Sequence, residues 1–299
     1  MSDSLEGYKI GFIGLGAMGW PMACHLQDAG ADLTVWNRSD GPARRAAERG
    51  MLVATDPAAL AASVGPGILC LNLTHAHVVT DIVDILLTAL SRDAIVVDFG
   101  TTGHSATLKC AAQIETRGAT WIDAPVSGGE VGAREGSLTI MAGGTPENFA
   151  RVLPLLEVVG AKISHMGPTG SGQVTKLANQ LIVAQTIDAV AQALRLAEKA
   201  GVDPARVRDA LRGGFAESRI LELHGDRMIR RDFAPGGRSE LQLKDVRLIS
   251  ELAEEVGLES PTLENSLAQW EKLVDERERG NLDHSGLFTL YDEEESACP

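Results

Sequence analysis

Three glycines spaced as Gly14-Leu-Gly16-Ala-Met-Gly19 follow an apolar run, Lys9-Ile-Gly-Phe-Ile13, and open a segment with helical character from Ala17 to about Ala29. Each glycine has a mechanical reason in a phosphate-binding turn. The first permits the tight turn, the second lets backbone N–H groups approach a pyrophosphate, and the third lets helix and strand pack closely. The helix N-terminus adds a dipole that favours an anion. One such match is weak evidence, but a strand before it, a helix after it and a second strand at Leu33-Thr-Val-Trp36 make it a dinucleotide-binding fingerprint. Gly14, Leu15, Gly16, Ala17, Met18 and Gly19 are the candidate pyrophosphate loop; a bare strand-to-helix turn is the alternative.

The end of the second strand bears on which dinucleotide is bound. A site for NAD usually places Asp or Glu there to bind the ribose hydroxyls, whereas this strand ends Trp36-Asn37-Arg38-Ser39. No carboxylate stands at that position to repel a 2′-phosphate. Arg38 offers a charge-assisted fork, and Asn37 and Ser39 offer neutral hydrogen bonds, so NADP(H) is expected over NAD(H). The competing reading is a solvated loop arginine.

A nicotinamide enzyme also needs a proton donor beside the hydride path. Lys176 stands in the first turns of a long predicted helix, with Asn179 and Gln180 at i+3 and i+4 on the same side. Partial desolvation there would bring its pKa toward neutrality and suit it to proton transfer, while a snorkelling surface lysine is equally compatible with the spacing. Ser127, Gly128 and Gly129 end the segment Asp123-Ala-Pro-Val-Ser-Gly-Gly129, where successive N–H groups would form an anion nest or a plain turn. Lys244-Asp245 reads by default as a solvated helix pair. The seven histidines fall in no HExxH or Ser/His/Asp setting, and His75-Ala-His77 lacks a third ligand, so no metal site is expected.

These residues must be positioned by two kinds of structure. From Tyr8 to about His165, short apolar runs alternate with helical segments, the pattern of βαβ units on a parallel sheet. The further runs are Ile68–Leu71, Ala94–Asp98, Thr120–Asp123, Ser137–Ala142 and Lys162–His165. A long helix is predicted from about Gly172 to Lys199. Helical patterns follow around Pro204–Leu211, Arg219–Arg230, Leu243–Val256 and Pro261–Arg279, with no strand. The expected fold is α/β: a Rossmann-type doubly wound sheet over residues 1–165, then an all-helical domain over 166–299 joined by the long interdomain helix.

With 299 residues the chain suits two domains at roughly 150 residues each, and 44% apolar with 23% charged residues marks an ordinary folded protein. A net charge of −14 repels phosphate backbones and anionic lipid, so neither nucleic acid nor membrane is an expected partner. Cys24, Cys70, Cys110 and Cys298 show no CxxC spacing, and Met1 to Gly7 has no basic leader ahead of an apolar run. A reduced, cytoplasmic protein is expected, its last residues, from Asp292 to Ser296, an acidic tail.

Five segments in order carry a resemblance over nearly the whole chain: Gly11–Ala23, Asp98-Phe-Gly-Thr-Thr102, Asp123–Gly129, Gly170-Ser-Gly-Gln-Val-Thr-Lys-Leu-Ala-Asn-Gln180 and Leu243-Lys-Asp245. The chain resembles the β-hydroxyacid dehydrogenases, the group of 3-hydroxyisobutyrate dehydrogenase, tartronate semialdehyde (2-hydroxy-3-oxopropionate) reductase and plant glyoxylate/succinic semialdehyde reductases. The resemblance implies that Lys176 is the catalytic lysine, which protonates the carbonyl oxygen as hydride reaches its carbon. It implies that Ser127, Gly128 and Gly129 hold the substrate carboxylate, that Asn179, Gln180 and Asp245 line the substrate site, and that Leu73, Thr101 and Lys244 touch the cofactor. It further implies a small aldehyde-acid substrate and a homodimer or homotetramer.

Lys-Leu-Ala-Asn-Gln180, Phe233–Asp245 and Leu282-Asp-His-Ser285 are most similar to the tartronate semialdehyde reductases, so NADPH-linked reduction of that aldehyde is the first expectation. The alternatives are 3-hydroxyisobutyrate, threonate or glyoxylate/succinic semialdehyde oxidoreduction, or a non-catalytic dinucleotide-binding module; Lys176 speaks against the module and against an imine-reducing relative. Three positions depart from the family pattern: Gly100 for a common Ser, Gln242 for a frequent His and Gly237 for a common aromatic. The last is expected to leave open volume for a bulkier acid.

Overall fold

The computed structural model describes residues 5–292; positions 293–296 of the expected acidic tail and Cys298 lie outside the described residues. The chain divides into two compact units, Met1–Lys176 and Leu177–Pro299. No helix among the described residues is long and apolar enough to cross a membrane.

Among the described residues the first unit is built on nine strands: β1 (Lys9–Ile13), β2 (Asp32–Trp36), β3 (Leu52–Val53), β4 (Ile68–Leu71), β5 (Ile95–Asp98), β6 (Thr120–Asp123), β7 (Val126–Ser127), β8 (Leu138–Gly143) and β9 (Gly160–Gly167). They form one sheet in the order β3-β2-β1-β4-β5-β6-β8-β7, with β9 beside β8. Pairing is parallel from β3 to β6. β4 and β5 are buried along their whole length because apolar layers cover both faces, Phe12, Met22, Leu26 and Val97 on one side and Ile13, Leu60, Leu71 and Val96 on the other. The helices of these layers are α1 (Gly19–Asp28), α2 (Asp40–Glu48), α3 (Pro57–Val64), α4 (Ala76–Leu86), α5 (His104–Glu115), α6 (Gly129–Glu135) and α7 (Pro146–Val159). Strand order reverses between β1 and β4, and in such sheets ligands bind outside the carboxyl ends of the strands at that switch point.

The doubly wound sheet is as expected, with three refinements. β7 and β6 each pair antiparallel with β8, so the sheet is mixed at that end. β3 and β7 have two residues each, too few to show a period. α1 starts at Gly19 rather than Ala17, because the residues before it form the glycine turn.

The second unit is helical. α8 (Ser171–Lys199) is one continuous helix of 29 residues whose first six belong to the first unit. It is followed by α9 (Pro204–Leu211), α10 (Arg219–Arg230), α11 (Ser239–Val256) and α12 (Pro261–Glu271). Ile187, Ala191, Leu194, Met228, Val246, Trp270 and Leu287 form its core. Asp203 and Ser260 each cap a helix that begins with proline, accepting an N–H bond that would otherwise be orphaned. The expected helix from Pro261 to Arg279 is α-helical only to Glu271 and then widens into a π turn over Lys272–Glu276. α11 starts four residues before the expected Leu243, and a 3₁₀ segment at His284–Tyr291, short and without an apolar period, was not anticipated.

Candidate active site

In the first unit the carboxyl ends of the strands gather most of the predicted residues. Gly14 follows β1, and its N–H donates to the Trp36 carbonyl at 3.1 Å. The Leu15 N–H donates to Asn37 Oδ1 at 2.9 Å, and Asn37 Nδ2 donates to the Ser39 carbonyl at 3.1 Å. Asn37 therefore joins the end of β2 to the glycine loop, a structural task beyond the expected contact with the cofactor. Arg38 and Ser39 are exposed beside it.

The loop fits a dinucleotide pyrophosphate. α1 has no side-chain cap and no acidic residue in its first turn, so its own first turn leaves the positive end of its dipole open to an anion. Gly16 and Ala17 are exposed, and a Cβ on Gly16 would meet nothing within 4 Å. Sequence reasoning missed Arg45, which stacks 3.9 Å over the Trp20 ring and lines a groove of about 550 Å³ with Gly16 and Ala17. A Cβ on Gly19, by contrast, would stand 1.9 Å from the Gly14 carbonyl oxygen. Gly19→Ala is expected to push the helix off the strand, costing ~1–3 kcal/mol of overpacking and weakening dinucleotide binding at least ~10-fold, measured by thermal unfolding and fluorescence titration.

Leu73 follows β4 and Thr101 follows β5, both half-buried. Gly100 departs from the family serine where the Leu73 carbonyl lies 2.6 Å from any added Cβ. Asp98, fully buried at the end of β5, accepts the Gly100 N–H at 2.9 Å and the Thr102 hydroxyl at 2.5 Å, which fixes the loop carrying Thr101. The next strand end provides Asp123, whose Oδ1 accepts the Gly170 N–H at 2.8 Å and whose Oδ2 accepts the Gln173 N–H at 2.9 Å. Burial pushes the Asp123 carboxyl upward, and these N–H bonds oppose the shift. Gln173, fully buried, reaches back to the loop after β5: its Oε1 accepts the N–H groups of Thr102 and Gly103, each at 3.1 Å, and its Nε2 donates to the Gly100 carbonyl at 2.9 Å.

Lys176 lies one turn further along α8 and is 8% exposed, so the surface-lysine alternative is not what the fold adopts. Ser127 pairs with Thr139 across β7 and β8, and exposed Gly128 and Gly129 lead into α6. Asp98, Asp123 and Gln173 fall within the motif segments, but their type and spacing assign them no role. The signal that identifies them is a buried polar residue at a strand end or helix start, where backbone N–H groups need acceptors.

In the second unit α8 and α11 bring four predicted residues together. Asn179 Nδ2 donates to Gln180 Oε1 at 2.8 Å, and Gln180 Nε2 donates to Asp245 Oδ2 at 2.5 Å and to Gln242 Oε1 at 3.4 Å. Lys244 Nζ lies 2.9 Å from Asp245 Oδ1. Asp245 is 7% exposed, so the default reading of Lys244-Asp245 as a solvated pair is corrected.

The expectation of open volume at Gly237 is also corrected. The His284 imidazole occupies that space, its Cε1 and Nε2 standing 3.0 and 3.1 Å from where a Cβ on Gly237 would be. Burial and the nearby His224 bring the His284 pKa down to about 4, so the ring is neutral at physiological pH. Beneath it Asp283, 1% exposed, accepts the N–H groups of Gly236, Gly237 and Ser285 and the Ser285 hydroxyl, with Arg227 Nη1 at 3.0 Å and His224 Nδ1 at 3.3 Å. Burial alone would raise its pKa, but the donors from His224, Ser285 and Gly237 outweigh that and hold the carboxyl far below the usual range.

Comparison with known proteins places the chain in a family. Residues 9–167 match the family described as the NAD binding domain of 6-phosphogluconate dehydrogenase, and residues 170–291 match the NAD-binding of NADP-dependent 3-hydroxyisobutyrate dehydrogenase. The chain is 43% identical over 273 residues to 2-hydroxy-3-oxopropionate reductase of Escherichia coli, covering 85% of this chain and 87% of that one. It is 33% identical to 2-(hydroxymethyl)glutarate dehydrogenase of Eubacterium barkeri over 86% of each chain. The solved 3-hydroxyisobutyrate dehydrogenase of Mycobacterium tuberculosis with L-serine superposes with a TM-score of 0.86 at 28% identity, covering 94% of this chain and 98% of that one. A nicotinamide dinucleotide is thus the cofactor class, and the chain belongs to the NAD(P)-dependent β-hydroxyacid dehydrogenases, oxidoreductases of the 3-hydroxyisobutyrate dehydrogenase type.

Proposed function

We propose that this enzyme reduces a small aldehyde acid to the hydroxy acid with NADPH, tartronate semialdehyde to glycerate being the first candidate. The observation that carries this reading is a buried lysine, Lys176, one helical turn from the network that ties α8 to the cofactor-side ends of β5 and β6. A reduced nicotinamide, when bound, supplies hydride to the carbonyl carbon. Lys176 Nζ then gives its proton to the carbonyl oxygen and recovers it in the oxidative direction, while Ser127, Gly128 and Gly129 hold the substrate carboxylate. Asn179, Gln180 and Asp245 line the substrate side, and Thr101, Leu73 and Lys244 contact the cofactor. The identity to 2-hydroxy-3-oxopropionate reductase supports this choice of aldehyde. Incubation of enzyme, NADPH and tartronate semialdehyde is expected to yield glycerate; consumption of neither reagent would reject that aldehyde.

Preference for NADPH rests on Arg38, exposed beside the end of β2 where an NAD site carries a carboxylate. A charge-assisted fork to the 2′-phosphate contributes about 1.5–3 kcal/mol. Arg38→Glu is therefore expected to lower kcat/KM with NADPH by about 10–150-fold and leave NADH within ~3-fold. Equal losses with both cofactors would show that Arg38 does not read the 2′-phosphate. A homodimer or homotetramer is part of the same proposal and rests on the family resemblance. A cytoplasmic location completes the proposal.

A further inference from the structure

Gln173 is fully buried, and its side-chain amide meets three groups of the loop after β5, one through Nε2 and two through Oε1. Both acceptor sites of Oε1 are taken by backbone N–H groups and Nε2 serves a carbonyl, so the amide replaces water for three backbone groups between Gly100 and Gly103. Its backbone N–H is held by Asp123, which also takes the Gly170 N–H and so fixes the start of α8 on the end of β6. Asp98 holds the same loop from the other side through Gly100 and Thr102. No other uncharged side chain of this length offers two acceptor sites and a donor; glutamate would add a third carboxylate near Asp98 and Asp123.

Lys176 follows Gln173 at i+3, hence on the same side of the helix with Cβ atoms about 5–6 Å apart. Thr101 stands inside the loop that Gln173 grips. The loop and the lysine-bearing turn are therefore linked through the Gln173 amide.

We propose that Gln173 is a positioning residue: it locks the lysine-bearing turn of α8 to the loop at residues 100–103, so that the proton donor and the bound nicotinamide are held in one register. The inference rests on the functional reading of Lys176 and Thr101 given above. Gln173 itself transfers nothing. Its effect is geometric, and misplacement on the order of 1 Å between reacting groups costs about 10²-fold in rate.

The test is Gln173→Met, which keeps the length and apolar volume and removes all three side-chain hydrogen bonds, placed in a double-mutant cycle with Lys176→Ala. In the otherwise unaltered enzyme the Met variant is expected to lower kcat for aldehyde reduction ~10-fold or more with the aldehyde KM within ~3-fold. In the Lys176→Ala background it should cost less than ~2-fold, because there is no donor left to misplace. NADPH affinity, read by fluorescence titration without substrate, should weaken ~3–10-fold as the loop loosens. Gln173→Glu keeps the two accepted N–H bonds and should fall between; it replaces the Met variant if that protein does not fold. Fully additive losses in the cycle, or unchanged kcat and NADPH affinity in both variants, overturn the proposal. If Lys176→Ala leaves turnover intact, the proton-donor reading fails separately, and unchanged NADPH affinity in Gln173→Met then overturns the tie to the loop.

Discussion

Lys176→Ala is expected to lower kcat/KM for aldehyde reduction by about 10²-fold or more, since a positioned general acid contributes roughly 10²–10⁴-fold. The lysine is 8% exposed, so bulk water is poorly placed to supply the missing proton. NADPH affinity should stay within ~3-fold, which separates lost chemistry from lost binding. Lys176→Arg is the sharper comparison. Guanidinium keeps the positive charge but holds its proton above about pH 12, so it can stabilise a developing alkoxide without donating to it. Activity within ~10-fold of the alanine variant is expected for Arg if proton transfer is the lysine's role. Recovery to near the original rate would assign Lys176 an electrostatic role instead. The measurement is steady-state oxidation of NADPH alongside fluorescence titration of the cofactor.

Asp283→Ala should produce the largest loss of stability. The carboxylate is 1% exposed and gathers three backbone N–H groups, the Ser285 hydroxyl, Arg227 and His224. Removing it takes the buried counter-charge from Arg227 and orphans the N–H groups of Gly236, Gly237 and Ser285, which costs about 3–5 kcal/mol. A urea titration followed by tryptophan fluorescence should show an earlier transition, because Trp270 lies in this unit with its ring at the edge of His284. A change within ~0.5 kcal/mol would show that the cluster is dispensable.

The same cluster fixes the sign of the pH dependence. Asp283 has a folded pKa below its unfolded value of about 3.9, so its contribution is present above that pH and lost as pH falls below it. His284 titrates at about 4 when folded, so the unfolded chain takes up a proton from about pH 6.5 downward before the folded one does. Stability should therefore fall as pH drops from about 6.5 through 4, with Asp283 extending the loss below. A stability maximum near pH 5 would contradict this assignment.

The glycine loop, the alternating strands and the long helix were legible because each follows a local rule of turn chemistry or periodicity. β3, β7 and the 3₁₀ segment were not, because two residues or an aperiodic turn carry no pattern. At the site, the type and spacing of Lys176, Asn179 and Gln180 placed them on one helix, but their surroundings depend on residues far away in sequence. Gln180 meets Asp245 from 65 positions away and Gln173 meets Gly100 from 73, separations that no single-sequence periodicity encodes. Gly237 shows the opposite error. A missing side chain suggested empty space, yet His284, 47 residues later, fills it.

The most direct test of NADPH-linked reduction of a small aldehyde acid is kcat/KM over a panel of tartronate, methylmalonate and succinic semialdehydes and glyoxylate, each with NADPH and with NADH. Strong turnover of one aldehyde acid with NADPH, tartronate semialdehyde foremost, is the predicted result. Tight NADPH binding without turnover of any member of the panel would contradict it.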